Sequence, residues 1–368
     1  MTSAGQRLSC AGNVLGRSGT IANIREVAKQ SGVSVSTVSR VFNGYDDVSP
    51  TTRERVLEIA RKLDYAPSAA ARTLVKQRSQ LIGVVLFTGY EHPDIHHPFF
   101  QEVLVGLKHG IGELGYDLLL FATEQPGSSR GRPHSYLRRA EQHRADGIVV
   151  MGVDRADPEV DKLVRSDIPV IAVDIDVVGD HTSFVASDNI GGARLAVRHL
   201  HGLGHTRIAT IAGPSATKPG ADRTLGFRAE MRELGLTIPP GYEVEGDFYP
   251  ESAERAMQSM LALPEPPTAV FVAADMMAVG AIRAAQSAGL SVPEDLAIVG
   301  FDDIRVAELV SPPLTTIRQD MVGIGLAAGR ALVEQIENPD VTPPVLTLPV
   351  ELVVRESCGA QAAALING

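Results

Sequence analysis

Four charged residues sit where a chain readily presents chemistry to a small molecule. Asp174, Asp275 and Asp302 each come just after an apolar, β-branched run, and Arg223 lies beyond another. Carboxylates accept hydrogen bonds from vicinal hydroxyls, and an arginine fork donates to hydroxyl and ring oxygens. Such an Asp–Arg–Asp lining fits a sugar, particularly beside an aromatic platform for the ring face. Two structural readings stay open: Asp302 and Arg223 tie loops together, and Asp275 caps the helix after it. Asp94, His96 and His97 add a polar group beside Phe99; a solvated loop, a contact to a second sugar unit and a metal site all fit it. No glycine-rich loop ending in Lys-Ser/Thr is present, which argues against a phosphate cradle. Scattered carboxylates without a nucleophile elbow do not make a catalytic pair, so an enzyme reading has little to rest on.

A second set of residues lies near the start of the chain. Asn23 can cap a helix with Ile24, Val27 and Ala28 on one face, which Gly32 ends. Ser34 opens a second helix with Val35, Val38, Val41 and Phe42 at helical spacing. Ser49 caps a third, with Pro50 at its first position and Val56, Ile59, Ala60 and Leu63 facing inward. The spacing predicts a helix-turn-helix over 24–43. Its second helix exposes Val35, Ser36, Ser39 and Arg40. Small side chains permit close approach to base edges, and Arg40 can fork onto a guanine. The alternative use of three such helices is protein contact.

Charge separates the two sets. Residues 1–80 hold 12 Lys and Arg against 6 Asp and Glu; the remainder holds 22 against 38, within a net charge of −10. A basic head attracts nucleic acid and an acidic body repels it. Between them Pro67 breaks the chain, and residues 68–75 form a short alanine-rich segment too brief to be stable as an isolated helix. Residues 1–19, rich in Gly and Ser, read as a disordered tail.

Strands and helices must position the charged residues. Apolar β-branched runs at 81–86, 117–121, 147–151, 169–173, 207–211, 268–272 and 296–299 alternate with amphipathic stretches such as 100–113, 190–203 and 276–288. That alternation predicts parallel sheets covered on both faces. The 368 residues suggest two or three domains, and so many strands suggest two α/β lobes. Ligands of such sheets sit at the carboxyl ends of the strands. No apolar run is long enough to span a membrane, and the first residues lack a signal-peptide core. Cys10 and Cys358 are the only cysteines, which suits a reducing compartment and makes no cysteine-built zinc site.

The run IREVAKQSGVSVSTVSRVFNG at 24–44 is followed by Val48-Ser49-Pro50-Thr51-Thr52-Arg53 and Leu63-Asp64-Tyr65-Ala66-Pro67-Ser68. Together they resemble the LacI/GalR family of bacterial transcriptional regulators. The likeness continues in family order through Ala212-Gly213-Pro214, Arg223 to Gly226-Phe227, Ala274-Asp275 to Gly280, Gly300-Phe301-Asp302-Asp303 and Pro313-Leu314-Thr315-Thr316-Ile317. It covers residues from about 20 to 358. The resemblance implies a small all-α helix-turn-helix head (20–67) and a hinge helix (68–78). An α/β periplasmic-binding-protein-like body of two Rossmann-like parallel-sheet subdomains follows (79–358), with a tail at 359–368.

The resemblance also implies roles. Val35 and Ser36 read the operator in the major groove with Arg40 behind them, while Thr37, Ser39 and Asn43 mainly contact phosphates. Leu74 matches a minor-groove wedge, with Ala71 keeping that helix thin; packing of Leu74 on the body is the alternative. Phe100 and Phe248 match aromatic effector platforms, and Arg223 and Asp302 match ligand-gripping positions alongside Asp174 and Asp275. Position 274 is Ala where many sugar-binding members carry Asn, which removes one polar contact. The implied protein is a cytoplasmic, nucleoid-associated homodimeric repressor of carbohydrate-utilisation genes, without cofactor or metal. It binds a near-palindromic double-stranded operator and is released by a sugar or oligosaccharide inducer. The rival readings are a solute-binding sugar carrier and a regulator using a purine or other co-repressor.

Overall fold

A computed structural model describes residues 23–42, 45, 47–65, 78–86, 94–122, 135–154 and 156–360. Asn43, Ala71, Leu74, the hinge segment up to residue 77, the amino-terminal tail and residues 361–368 lie outside the described residues. The chain divides into two compact units between Ser79 and Gln80.

The first unit contains three helices, α1 (Ile24–Ser31), α2 (Val35–Phe42) and α3 (Pro50–Lys62). Each start has the expected cap. Asn23 Oδ1 accepts from the Arg25 and Glu26 amides at 3.0 and 3.1 Å. Ser34 Oγ accepts from the Thr37 amide at 3.1 Å, and Ser49 Oγ from the Thr52 amide at 3.3 Å with Pro50 behind it. Gly32 ends α1 at φ 63°, a backbone state that costs glycine little. The three inward faces meet in a core of Val27, Ala28, Val38, Val41, Val56 and Ala60. Arg53 ties the end of α2 to α3, donating to the carbonyls of Val41 and Tyr45.

The second unit contains two six-stranded sheets. The first runs β11-β5-β4-β3-β1-β2, built from β1 (Leu81–Leu86), β2 (Asp117–Leu120), β3 (Gly147–Met151), β4 (Val170–Val173), β5 (Thr182–Ser187) and β11 (Leu346–Leu348). The second runs β12-β10-β9-β8-β6-β7, from β6 (Ile208–Ala212), β7 (Glu243–Glu245), β8 (Ala269–Val272), β9 (Ala297–Asp302), β10 (Thr315–Gln319) and β12 (Val350–Val353). All pairings are parallel except β10 with β12. The seven apolar runs are all strands. Five further strands, β5, β7, β10, β11 and β12, lack a continuous apolar run. In β5 and β10, buried Thr and Ser occupy positions an apolar side chain would otherwise fill, and most of their hydroxyls are matched: Ser183 donates to the Pro344 carbonyl at 2.7 Å, and Thr316 to Asp275 Oδ1 at 2.6 Å, while Thr182 Oγ1 is buried without a partner.

The chain crosses between the lobes three times. After β5 it runs into α7 (Asn189–Gly202), which packs on the second sheet with α8 (Lys218–Glu233). After β10 it returns through α12 (Met321–Glu337), which lies against α4 (Pro98–Gly112) on the first sheet. The third crossing joins β11 to β12 through Pro349. The contact of α4 with α12 is nearly backbone to backbone. A Cβ on Gly106 would lie 2.0 Å from the Val322 carbonyl oxygen, and one on Gly325 lies 2.0 Å from that of Val103. Gly106→Ala should therefore lower stability by about 1–3 kcal/mol through overpacking. Gly112→Ala at the exposed end of α4, where a Cβ meets nothing within 4 Å, should instead raise it by up to ~1 kcal/mol. Urea midpoints moving in opposite directions check this pair.

Candidate effector site and DNA-reading helix

A cavity of about 390 Å³ opens between the two lobes at the carboxyl ends of the parallel strands, where ligands of such sheets bind. Its volume lies within the ~300–1,000 Å³ of small-molecule sites. The first lobe contributes His97 and Phe100 from the start of α4, Asp154 after β3, and Asp174 and Asp176 after β4. The second contributes Lys218 and Arg223 from α8, Asp247, Phe248 and Tyr249 after β7, Asp302 at the end of β9, and Gln319 at the end of β10. Phe100, Asp174, Arg223, Phe248 and Asp302 of the expected set are thus brought together.

Arg223 lies on the floor, 3% exposed. Its Nε donates to Asn189 Oδ1 at 2.8 Å and its Nη1 to the Ala273 carbonyl at 2.5 Å, with Asp302 Oδ1 at 3.5 Å. The guanidinium stacks 3.7 Å from the ring centroid of Phe301, a cation–π contact strengthened by exclusion of water. Burial lowers its pKa, opposed by the charges of Asp302 and Asp174. Asp302 has φ 119°, a conformation that a non-glycine residue adopts only at a cost. Gln319 Nε2 donates to its Oδ1 at 2.6 Å. Burial raises the Asp302 carboxyl to about 6, against the pull of Arg223 and Gln319.

Asp174 and His97 each hold a buried polar atom without a hydrogen-bond partner, Oδ1 and Nε2. Burial raises the Asp174 carboxyl to about 6 despite the Arg223 charge. His97 Nδ1 accepts from the Phe99 amide at 3.3 Å and so caps α4, which leaves the ring hydrogen on Nε2. Burial and the Arg223 charge hold this imidazole neutral, with its pKa lowered to about 4. Phe248 is seated over Gly213, where a Cβ would meet its ring at 2.5 Å. Lys218 pairs with Asp222 at 2.7 Å and lies 5.5 Å from the Phe184 ring centroid. The lining therefore offers acceptors, two committed cations and aromatic faces from both lobes.

Asp275 differs from the expectation of ligand contact. It is fully buried and does not line the cavity. Its Oδ1 accepts from Thr316 Oγ1 at 2.6 Å and its Oδ2 from the Ile304 amide at 3.0 Å. The helix-cap reading is not met either: the cap position of α10 (Asp275–Ser287) is Ala274, with no side-chain cap bond. Asp275 instead ties the loop after β9 to β10. Sequence reasoning did not single out Gln319, Asn189 or Lys218. Among the described residues no three His, Cys, Asp or Glu side chains converge on a metal position, and the side chain of Asp94 lies outside them.

In the first unit, α2 presents Val35, Ser36 and Arg40 to solvent, with Thr37 and Ser39 half-buried beside them. Ser34 links the serine-rich start, its Oγ lying 2.7 Å from Ser36 Oγ and 2.9 Å from Thr37 Oγ1. Arg40 pairs with Asp47 at 2.6 Å on the surface. Exposed pairs of this kind contribute only ~0–1 kcal/mol, so the guanidinium can exchange partners.

A helix-turn-helix unit in one chain with a two-lobed α/β unit that holds a ligand-sized cavity defines a ligand-responsive DNA-binding regulator. Residues 23–68 match the model of the bacterial regulatory proteins of the lacI family, and residues 197–358 match the periplasmic binding protein-like domain. The chain is 37% identical over 333 residues to the HTH-type transcriptional regulator CelR of Thermobifida fusca, covering 90% of this chain and 96% of that one. A solved transcriptional regulator CelR–cellobiose complex has a TM-score of 0.68 at 33% identity, covering 91% of this chain and 99% of that one. The lac repressor dimer bound to operator and the anti-inducer ONPF has a TM-score of 0.76 at 29% identity, covering 92% and 99%. The chain belongs to the LacI family of bacterial regulatory proteins. No helix among the described residues is long and apolar enough to cross a membrane.

The state of Asp174 has a measurable consequence. Its folded pKa of about 6 exceeds the ordinary 3.8. Its neutral form thus favours folding below pH ~4, and that contribution is lost as pH rises through 6. Asp174→Asn should raise stability above pH 6 by up to about 3 kcal/mol, shrinking to nothing near pH 4. The difference between variant and parent in urea melts at pH 7.5 and 4.5 isolates this from His97, whose opposing contribution is common to both proteins.

Proposed function

We propose that this protein is a homodimeric repressor that binds a near-palindromic operator and is released when a sugar or oligosaccharide enters the cleft. The observation that carries the effector class is the cavity lining. Arg223 and Asp302 supply donor and acceptor on its floor, Asp174 brings an unpartnered carboxylate oxygen, and Phe100 and Phe248 offer aromatic faces from opposite lobes. The relative solved with cellobiose and the one solved as a dimer on operator are consistent with this reading. In it, Val35, Ser36 and Arg40 read bases and Thr37, Ser39 and Asn43 hold phosphates. The hinge 68–78 orders on DNA with Leu74 as wedge beside Ala71, between a head at 20–67 and an effector body at 79–358. The protein acts by binding rather than catalysis, in the compartment that holds the chromosome. Sugar and operator are coupled reciprocally, at typically ~1–3 kcal/mol.

The test is a thermal-shift screen of the purified protein against mono- and disaccharides, purines and sugar phosphates. A ligand of the native state raises the melting temperature. A shift from one sugar class, lost in Arg223→Ala, is the expected outcome; a shift from purines alone overturns the sugar assignment. On a duplex selected from a random library, Arg40→Ala should weaken binding by about 1–3 kcal/mol and relax the preference at one base position. Leu74→Ala should weaken operator binding and leave sugar affinity unchanged.

A further inference from the structure

Five buried residues at the junction of the lobes form a closed ring of hydrogen bonds, one link of which ends on a main-chain carbonyl. Ser187 Oγ donates to Gln319 Oε1 at 2.8 Å, and Gln319 Nε2 donates to Asp302 Oδ1 at 2.6 Å. Arg223 Nη1 reaches the same Asp302 oxygen at 3.5 Å, while Arg223 Nε donates to Asn189 Oδ1 at 2.8 Å. Asn189 Nδ2 closes the ring onto the Ser187 carbonyl at 3.2 Å. All five residues are at most 3% exposed.

The ring joins two kinds of residue. Arg223 and Asp302 are the cavity floor. Ser187 and Asn189 begin one lobe crossing and Gln319 begins another; in each, the following or intervening Asp caps the crossing helix, Asp188 onto the Gly191 amide at 2.8 Å and Asp320 onto the Gly323 amide at 2.7 Å. The crossings thus cannot turn relative to each other without stretching the ring. Its longest link is the one between the two floor residues, where a hydroxyl entering the cavity would compete or bridge.

We infer that Ser187 and Gln319 are positioning residues that convert effector contact at Arg223 and Asp302 into a change of angle between the lobes. Ser187 carries the argument because it does not line the cavity, so its loss removes no ligand contact. The inference rests on the sugar-effector reading above, and the test separates the two.

Operator affinity is measured with and without a saturating sugar, using full-length protein, the selected duplex and the sugar panel including cellobiose. In Ser187→Ala the sugar-induced fold-change in operator affinity should fall at least fivefold below the parent's, while sugar affinity without DNA changes less than threefold. Ser187→Thr, which keeps the hydroxyl, should restore the response. A purely structural Ser187 lowers the melting temperature but leaves the fold-change intact, and that result overturns the inference while the sugar reading stands. A parent protein whose operator affinity no sugar alters overturns both. Where Ser187→Ala is too unstable to purify, Ser187→Cys, with its similar volume and weak donor, takes its place with the same two outcomes.

Discussion

The body is organised around one buried cation. A guanidinium taken out of water carries a desolvation cost of several kcal/mol unless its donors are satisfied. Arg223 meets that demand with partners from three separate stretches of chain: Asn189 after β5, the carbonyl of Ala273 after β8, and Asp302 at the end of β9, with Phe301 beneath its plane. Each partner comes from the carboxyl end of a strand or from the segment that follows it. Those ends must converge for the cation to be tolerated, and their convergence makes the cavity. The raised carboxyls of Asp174 and Asp302 follow from the same burial, since one cation stabilises two buried acids only in part.

The site keeps polar capacity in reserve. An unmatched buried acceptor is a liability in an empty cleft, yet Asp174 Oδ1 is in that state. The strained backbone of Asp302 and the unmatched Asp174 oxygen are costs that a polyhydroxylated ligand can offset. Stability given up in this way returns as affinity, in keeping with the general tendency of functional sites to break local rules.

Local signals make the three helices of the head legible. Caps at Asn23, Ser34 and Ser49, the glycine at 32 and three short apolar faces fix the helices, and long-range information adds little. In the body, strands with continuous β-branched runs were readable, and so was the convergence of Arg223, Asp302 and Asp174. The strands β5 and β10 were not, because their buried Thr and Ser resemble surface residues until their partners are known. Asp275 misleads for the same reason: a carboxylate after a strand looks like a ligand group, and only the positions of Thr316 and the Ile304 amide turn it into a loop tie. Gln319 and Asn189 are neutral amides whose importance depends wholly on what they face. One local sign could have marked Gln319: it sits immediately before a helix-capping Asp at a lobe crossing.

The lobe crossings also set the order in which the molecule can be completed during synthesis. The first lobe begins at β1, but its core is covered by α12 and its sheet edged by β11, both made after the whole second lobe up to β10. At ~5–20 residues per second, the stretch from Ser187 to the end of α12 takes on the order of 10–30 s to emerge. During that interval Leu107, Val103 and Ile111 on α4 have no helix to pack against. The nascent first lobe therefore presents an apolar face throughout that interval, while the second lobe, continuous from α7 to β10, lacks only its edge strand β12 and the segment up to Cys358. The glycine-lined fit of α12 onto α4 is what finally covers that face.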